Sequence, residues 1–171
     1  MVAKVTKSGQ KWLKVVMSYA IIFVHHRRGL MFWGEHKHQI DAKNRLRIPA
    51  KLKAELGDKF IITKGPSGCL SAFPLKTMEN MFEKLQNVPL SDIAAQRSVR
   101  MLFSSASEVE NDEQGRFLLP QNLKEFAKIE KNVVITGVGT RIDIWSEDRW
   151  NEYNSYDNFD EVLEGLGKFG V

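Results

Sequence analysis

The stretch Gln39-Ile40-Asp41-Ala42-Lys43-Asn44-Arg45-Leu46-Arg47-Ile48-Pro49-Ala50-Lys51-Leu52 occurs twice in this chain. Shifted by 71 residues it reads Glu110-Asn111-Asp112-Glu113-Gln114-Gly115-Arg116-Phe117-Leu118-Leu119-Pro120-Gln121-Asn122-Leu123. Asp41 meets Asp112, Arg45 meets Arg116, Pro49 meets Pro120 and Leu52 meets Leu123, while Leu46 and Ile48 meet Phe117 and Leu119. Further on, Phe60-Ile61-Ile62-Thr63 answers Val133-Val134-Ile135-Thr136, and Leu70-Ser71-Ala72-Phe73 answers Ile142-Asp143-Ile144-Trp145. So many matches in order, with a drift of only one or two residues, mark an internal repeat.

Both copies have the same physical reading. Asp41 opens a turn through Ala42, Lys43 and Asn44, where its carboxylate can accept nearby backbone N–H groups. Asn44, like Gly115 in the second copy, tolerates a positive φ. Such a turn closes a bulged hairpin of three or four residues. In the strand that follows, alternation puts Arg45 and Arg47 on one face and Leu46 and Ile48 on the other. Pro49 suits a first helical position, and a short helix through Leu52 and Leu56 stops at Gly57. Two more strands follow, divided by Gly65-Pro66-Ser67-Gly68 in one copy and Gly137-Val138-Gly139 in the other. Four short strands and one helical turn are too little to stand alone, so the two units must share a core.

The fold class is therefore mainly β with short helices, in two tandem units of residues 35–77 and 106–149. Between them, a helical connector at 78–105 follows from Met78, Met81, Phe82 and Leu85, then Pro89 as a break, then Ile93, Val99, Leu102 and Phe103. Ser146 can cap a helix carrying Trp150 and Tyr153, and residues 150–171 form a C-terminal helix and an acidic, Gly-spaced tail that should fray.

Composition bounds the function. Apolar residues make up 43% of the chain, enough for a core, and the lone Cys69 excludes an internal disulfide framework. Its apolar surroundings make it a buried small residue rather than a nucleophile. The net charge of +4 is misleading as a nucleic-acid signal. Residues 1–30 carry six bases and no acid, which leaves 19 bases against 21 acids from Met31 onward, a net −2. Any case for binding DNA must rest on where the charges sit.

Residues 1–30 combine lysines, an apolar run from Val15 to Val24 and His25-His26-Arg27-Arg28. A secretory signal lacks its cleavage site here, and a membrane span of roughly 20 apolar residues lacks its length. A mis-called start fits better: Arg27-Arg28-Gly29 can be encoded by a purine run like a bacterial ribosome-binding site, just upstream of Met31. The expectation is that this segment is a non-native extension outside the fold.

Asp-x-x-x-Arg occurring twice, each time followed by Ile-Pro or Leu-Pro, in a stretch opening Met31-Phe32-Trp33-Gly34-Glu35, resembles the MraZ family of bacterial transcriptional regulators. The resemblance covers residues 31–153, including Gly137-Val138-Gly139 and Ile144-Trp145. It implies two AbrB/SpoVT-like swapped-hairpin half-barrels in a pseudo-symmetric unit and a ring-shaped homo-oligomer. It also implies binding to double-stranded DNA at direct repeats near the promoter of its own division and cell-wall gene cluster, as a repressor located in the cytoplasm and on the nucleoid. Two departures stand out. Trp33 replaces an Arg common in the family, and Asn44 replaces the usual Gly.

Local charge selects the candidate DNA face. Residues 35–53 hold Lys37, Lys43, Arg45, Arg47, Lys51 and Lys53 against Glu35 and Asp41. Residues 106–124 hold only Arg116 and Lys124 against Glu108, Glu110, Asp112 and Glu113. The first copy should carry most of the DNA face, and the second should complete the fold and subunit contacts. Lys43, Arg45 and Arg47 are candidates for base contacts, since a two-stranded ribbon can enter the major groove and Arg pairs with guanine. Lys37, Lys51 and Lys53 are candidates for phosphate contacts. Asp41 with Arg45, and Asp112 with Arg116, can also serve simply as turn-stabilising ion pairs.

No phosphate-loop, nucleophile-elbow, dinucleotide or paired-Cys zinc pattern is present, so no enzyme, cofactor or metal is expected. His36 and His38 share a strand face without a nearby Cys, which suits surface or phosphate-contacting histidines better than ligands. The rival function is a ring-forming scaffold with incidental DNA affinity, for which Trp145, Trp150 and Tyr153 would supply contact surface, although core packing is their simpler role.

Overall fold

The repeated turn forms in both copies, but its arms pair with strands of the other copy. The computed structural model describes residues 31–155, 159–167 and 169, so the expected extension at 1–30 lies outside the described residues. In chain order the elements are β1 (Glu35–Gln39), β2 (Arg45–Arg47), α1 (Ala50–Leu56), β3 (Lys59–Lys64) and β4 (Leu70–Pro74). Then come α2 (Leu75–Leu85), α3 (Ile93–Ser104), β5 (Ser107–Glu110), β6 (Arg116–Leu118) and α4 (Gln121–Phe126). The chain continues through β7 (Asn132–Val138), β8 (Arg141–Ser146), α5 (Glu147–Tyr153) and α6 (Phe159–Gly167).

Six strands form an antiparallel sheet in the order β1-β7-β8-β4-β3-β5, and β2 pairs with β6 in a separate ribbon. Exchanging the copies, β1 for β5 and so on, reverses this order and leaves it unchanged. The sheet is thus pseudo-two-fold. Its symmetry line runs between β4 and β8, where Ser71 faces Asp143, and between β2 and β6, where Leu46 faces Phe117. Both are pairs of equivalent residues in the repeat. Each copy lends its first strand to the other's third: β1 to β7 and β5 to β3.

The hairpin expected around Asp41 therefore closes only at its turn. Asp41 N–H donates to the Arg45 carbonyl at 2.9 Å and Asn44 N–H to the Asp41 carbonyl at 3.0 Å, after which the arms part. The physical reason is the one that forbids an isolated unit: four short strands cannot bury their own apolar face, and exchanging arms lets both units bury theirs.

Alternation then builds the core. On the ribbon side of the sheet, Phe60, Ile62, Leu70, Ala72, Val133, Ile135, Ile142 and Ile144 are buried. Leu46, Ile48, Phe117 and Leu119 of the ribbon and Leu52, Leu56 and Leu123 of the short helices are buried with them. Phe117 meets Phe60 edge-on with ring centroids 5.1 Å apart, a geometry worth about 0.5–1.5 kcal/mol beyond the area it buries. On the opposite side, Trp145 packs with Cys69, Val134 and Trp150, and Tyr153 lies 4.8 Å from the Trp145 ring. Trp145 is therefore a core residue, and burial pushes the Cys69 thiol up to about 12.

Local signals are displaced in small ways. Pro49 and Pro120 stand immediately before α1 and α4 with extended ψ, one residue earlier than a first helical position. Ser146 precedes α5, but its hydroxyl makes no capping bond and is buried without a partner among the described residues. The acidic tail expected to fray contains α6. Gly57 does end α1, with φ +88°.

Candidate nucleic-acid interface

The β2–β6 ribbon positions the candidate residues. Its buried face holds Leu46 and Phe117, so alternation turns Arg45, Arg47, Arg116 and Leu118 outward. Cross-repeat pairing places Arg47 opposite Arg116 and Arg45 opposite Leu118, which is 63% exposed. The outer face of the ribbon therefore joins arginines from both copies, an adjacency no reading of either copy alone contains.

The two turns flank this face with matching chemistry. Asp41 Oδ1 accepts from the backbone N–H of Lys43 and of Arg45, each at 2.9 Å, and its Oδ2 accepts from Arg45 Nε at 2.8 Å. Asp112 repeats the pattern with Gln114 N–H and Arg116 N–H, both at 2.9 Å, and with the Arg116 guanidinium at 2.8 Å. The Arg116 side-chain bond, then its backbone N–H, hold the Asp112 carboxyl down to about 2. In Asp41 the larger cause is the Arg45 backbone N–H, followed by its side chain, and the carboxyl is again lowered. Both arginines fasten the turn they follow.

Lys43 sits exposed at the first turn, and Arg47 is exposed on the ribbon, neither in an ion pair among the described residues. Asn44 adopts φ +57° and Gly115 φ +72°, the left-handed region that the turn demands. The Asn side chain also makes contacts that a glycine lacks: it accepts from Lys124 Nζ at 2.7 Å and donates to Gln121 at 3.3 Å. The first turn is thereby tied to α4 of the other copy.

The remaining candidates separate. Lys51 lies 4.8 Å over the Trp33 ring, and Trp33 is 54% exposed, a cation–π contact worth about 0.5–1 kcal/mol at such a site. Lys53 pairs with Asp58 at 2.9 Å and runs beside Gly115 of the second turn. Lys37 is opposite Val134 on the helix side of the sheet, where it pairs with Glu147 at 3.2 Å, away from the outward face of the ribbon. His38 is on the ribbon side. Burial first, then His36 and Arg47, lower its pKa, which keeps it neutral near pH 7. Among the described residues no group of three or more His, Cys, Asp or Glu could hold a metal ion, and no helix is long and apolar enough to cross a membrane.

A buried polar row also crosses the sheet, outside the candidate residues. Thr63, Ser71, Asp143 and Thr136 lie in register across β3, β4, β8 and β7, all buried. Ser71 donates to Asp143 at 2.7 Å, and Arg141 Nε donates to the same carboxylate at 2.9 Å. At the far end, the Thr63 hydroxyl bonds Ser105 at 2.8 Å and the Leu102 carbonyl at 3.0 Å, which fastens α3 to the sheet. The signal was a polar residue between apolar ones, Leu-Ser-Ala and Ile-Asp-Ile, at matching repeat positions.

Comparison with known proteins agrees with this architecture. The family model described as "MraZ protein" matches twice, over residues 31–101 and 102–164. A transcriptional regulator MraZ of Clostridium beijerinckii is 49% identical over 142 residues, covering 82% of this chain and 100% of the relative. Relatives of the same name from Carboxydothermus hydrogenoformans and Moorella thermoacetica are each 46% identical, covering 81% and 82% of this chain and 99% and 100% of their own. Two copies of one swapped unit, the doubled Asp-x-x-x-Arg turn and these identities show that the chain belongs to the MraZ family.

Proposed function

We propose that this protein is a transcriptional regulator that binds double-stranded DNA sequence-specifically, as a homo-oligomeric ring acting on direct repeats near the promoter of its own division and cell-wall gene cluster. The observation that carries the reading is the outward face of the β2–β6 ribbon, with Arg45, Arg47 and Arg116 side by side and Lys43 at its end. A two-stranded ribbon fits the major groove, and a bidentate Arg–guanine pair discriminates by about 1–3 kcal/mol. The name that the relatives share, transcriptional regulator MraZ, supports the same class. The reading places the protein in the cytoplasm, on the nucleoid, and gives it repression as its output.

Within this proposal the residues divide by their freedom to move. Arg47 and Lys43 reach bases. Arg45 holds the turn that presents Lys43 and can exchange Asp41 for a base edge or a phosphate. Lys51 and Lys53 meet phosphates beside the ribbon, and Lys37 meets one only if it leaves Glu147. A few contacts per protomer make weak binding, so affinity comes from several protomers on repeated sites at once.

A gel-shift titration tests this, using the fragment upstream of the chain's own gene against an unrelated competitor of equal length. The parent should bind tightly and resist competitor. Arg47→Ala and Arg45→Ala should each weaken specific binding by about tenfold or more with oligomer mass unchanged, the equivalent of one good base contact. Equal weak binding to both fragments would defeat the specific reading and favour a scaffold.

A further inference from the structure

The arm before β1 holds an aromatic side chain out of the core on a fixed backbone. Phe32 N–H donates to the Gly139 carbonyl at 2.7 Å, and Gly139 N–H donates back to the Phe32 carbonyl at 2.9 Å. One residue past Trp33, the Gly34 carbonyl accepts from Gly137 N–H at 2.9 Å. The backbone of Trp33 is thus fastened on both sides. Phe32 turns inward and is buried, while the Trp33 ring turns outward and is exposed.

A single exposed aromatic is ordinary on a protein surface. What marks this one is the exposed ammonium of Lys51, 4.8 Å over its ring. Among the cations of residues 35–53, Lys37, Arg45 and Lys53 each face a carboxylate that a phosphate would have to displace. Lys51 is in no ion pair among the described residues. A ring face attracts an ammonium without cancelling its charge, and the group has three N–H donors to direct elsewhere.

The pair also stands at the end of a row that starts on the ribbon. His38 lies close enough to Arg47 and to His36 to feel their charge. A Cβ on Gly34 would sit 3.4 Å from His36 Nε2, and Trp33 comes next. By the repeat shift of 71, the counterparts of Trp33 and Lys51 are Ser104 and Asn122, so the second copy lacks the pair. It belongs to the copy whose local charge suits DNA.

We propose that Trp33 is a positioning residue for Lys51, its ring holding the ammonium ready for a DNA backbone phosphate beside the ribbon. This rests on the DNA-binding reading above and adds the residue that prepares one of its phosphate contacts. A lysine stem loses rotamer freedom when its end is fixed on a phosphate. Where a ring already restrains the stem, less freedom remains to be lost on binding. A phosphate carries no sequence information, so the gain extends to any duplex.

Anisotropy of labelled DNA over a range of salt tests this on the full-length chain, with the fragment upstream of its own gene and an unrelated fragment. Lys51→Ala should weaken both complexes alike and lower the slope of log affinity against log salt by about 0.9 for each protomer engaged. Trp33→Leu should weaken both by about two- to tenfold per engaged protomer, the ordering cost of one freed side chain, with the slope kept. Trp33→Phe retains a ring face and should stay near the parent. In the Lys51→Ala background, Trp33→Leu should have no further effect, which separates positioning from a general structural role. Parent-like binding by Trp33→Leu, a Trp33→Phe chain as weak as Trp33→Leu, or a Trp33→Leu loss that persists without Lys51 overturns the positioning role. Unchanged binding by Lys51→Ala overturns the phosphate contact alone. A parent whose binding is absent or independent of salt overturns the DNA reading itself.

Discussion

Ser71 and Asp143, equivalent residues of the two copies, face each other across the symmetry line of the sheet and share a 2.7 Å hydrogen bond in the core. A perfect repeat would have set two serines or two aspartates there. One hydroxyl against one carboxylate supplies a donor for a buried anion, and Arg141 supplies the counter-charge. The divergence of the copies at this point is what makes their shared core satisfiable, since a lone buried charge is costly.

Removing either partner of that carboxylate should therefore destabilise the fold. Ser71→Ala is expected to cost about 1–3 kcal/mol in urea unfolding, by leaving one acceptor lobe of Asp143 unpaired. Arg141→Ala should cost about 3 kcal/mol, the low end for a broken buried pair, because the Arg141 side chain keeps partial contact with water. No loss in either variant would mean that water replaces the missing donor.

Gly137 lies under the crossing of the N-terminal arm. Its N–H donates to the Gly34 carbonyl at 2.9 Å, and a Cβ there would collide with the backbone of Phe32 and Trp33. Gly137→Ala should lift that arm from β7, exposing the buried Phe32, at a cost of about 1–3 kcal/mol. Hydrogen exchange would show it as faster amide loss at Phe32 and Gly139, which bond each other. Unchanged protection would show that the arm accommodates the methyl group by sliding.

At Asn44 two effects compete and can be separated. Asn44→Ala keeps the positive φ, which costs about 1–2 kcal/mol without Gly or Asn, and loses the bonds to Lys124 and Gln121. Asn44→Gly restores freedom of φ and loses only the bonds. Thermal melts should rank the parent and Asn44→Gly close together, with Asn44→Ala well below both. Equal melting of the Ala and Gly variants would place the whole effect in the side-chain bonds.

The turn aspartates predict an acid limb. Asp112 has its carboxyl lowered from the ordinary 3.8 to about 2, so folding favours its charged form. Its contribution is present above the unfolded value and is lost as pH falls from about 4 through about 2. Asp112→Asn should therefore be less stable than the parent at neutral pH, and the gap should narrow over that window in denaturant titrations. A gap independent of pH would assign the loss to hydrogen-bond geometry rather than charge. Asp41 should behave in the same direction.

Much of this protein is local and was legible. An Asp that accepts its own turn's N–H groups, a left-handed Asn or Gly, a strand alternating Arg and Leu, a Pro before a helix and a Gly after it are all settled within four or five residues. The α2–α3 connector followed from apolar spacing in the same way. Two elements differ from what their local signals suggested. The Ser146 hydroxyl is buried beside α5 without making its cap, and the amphipathic helix α6 forms in a stretch whose glycines and acids suggested fraying.

The sequence by itself determined that there are two equivalent units, which faces of their strands are apolar, and where the chain turns, because periodicity and turn chemistry act over a few residues. Only the tertiary structure decided which strands pair. Every strand here offers the same alternating edge, so β1 is as able to pair with β2 as with β7 until packing of the shared core selects the exchange. That choice placed Arg47 opposite Arg116, set Lys37 on the helix side with Glu147, and put Ser71 against Asp143. The binding face is a product of cross-repeat register, and register is set by which apolar face is buried, over distances no local pattern spans.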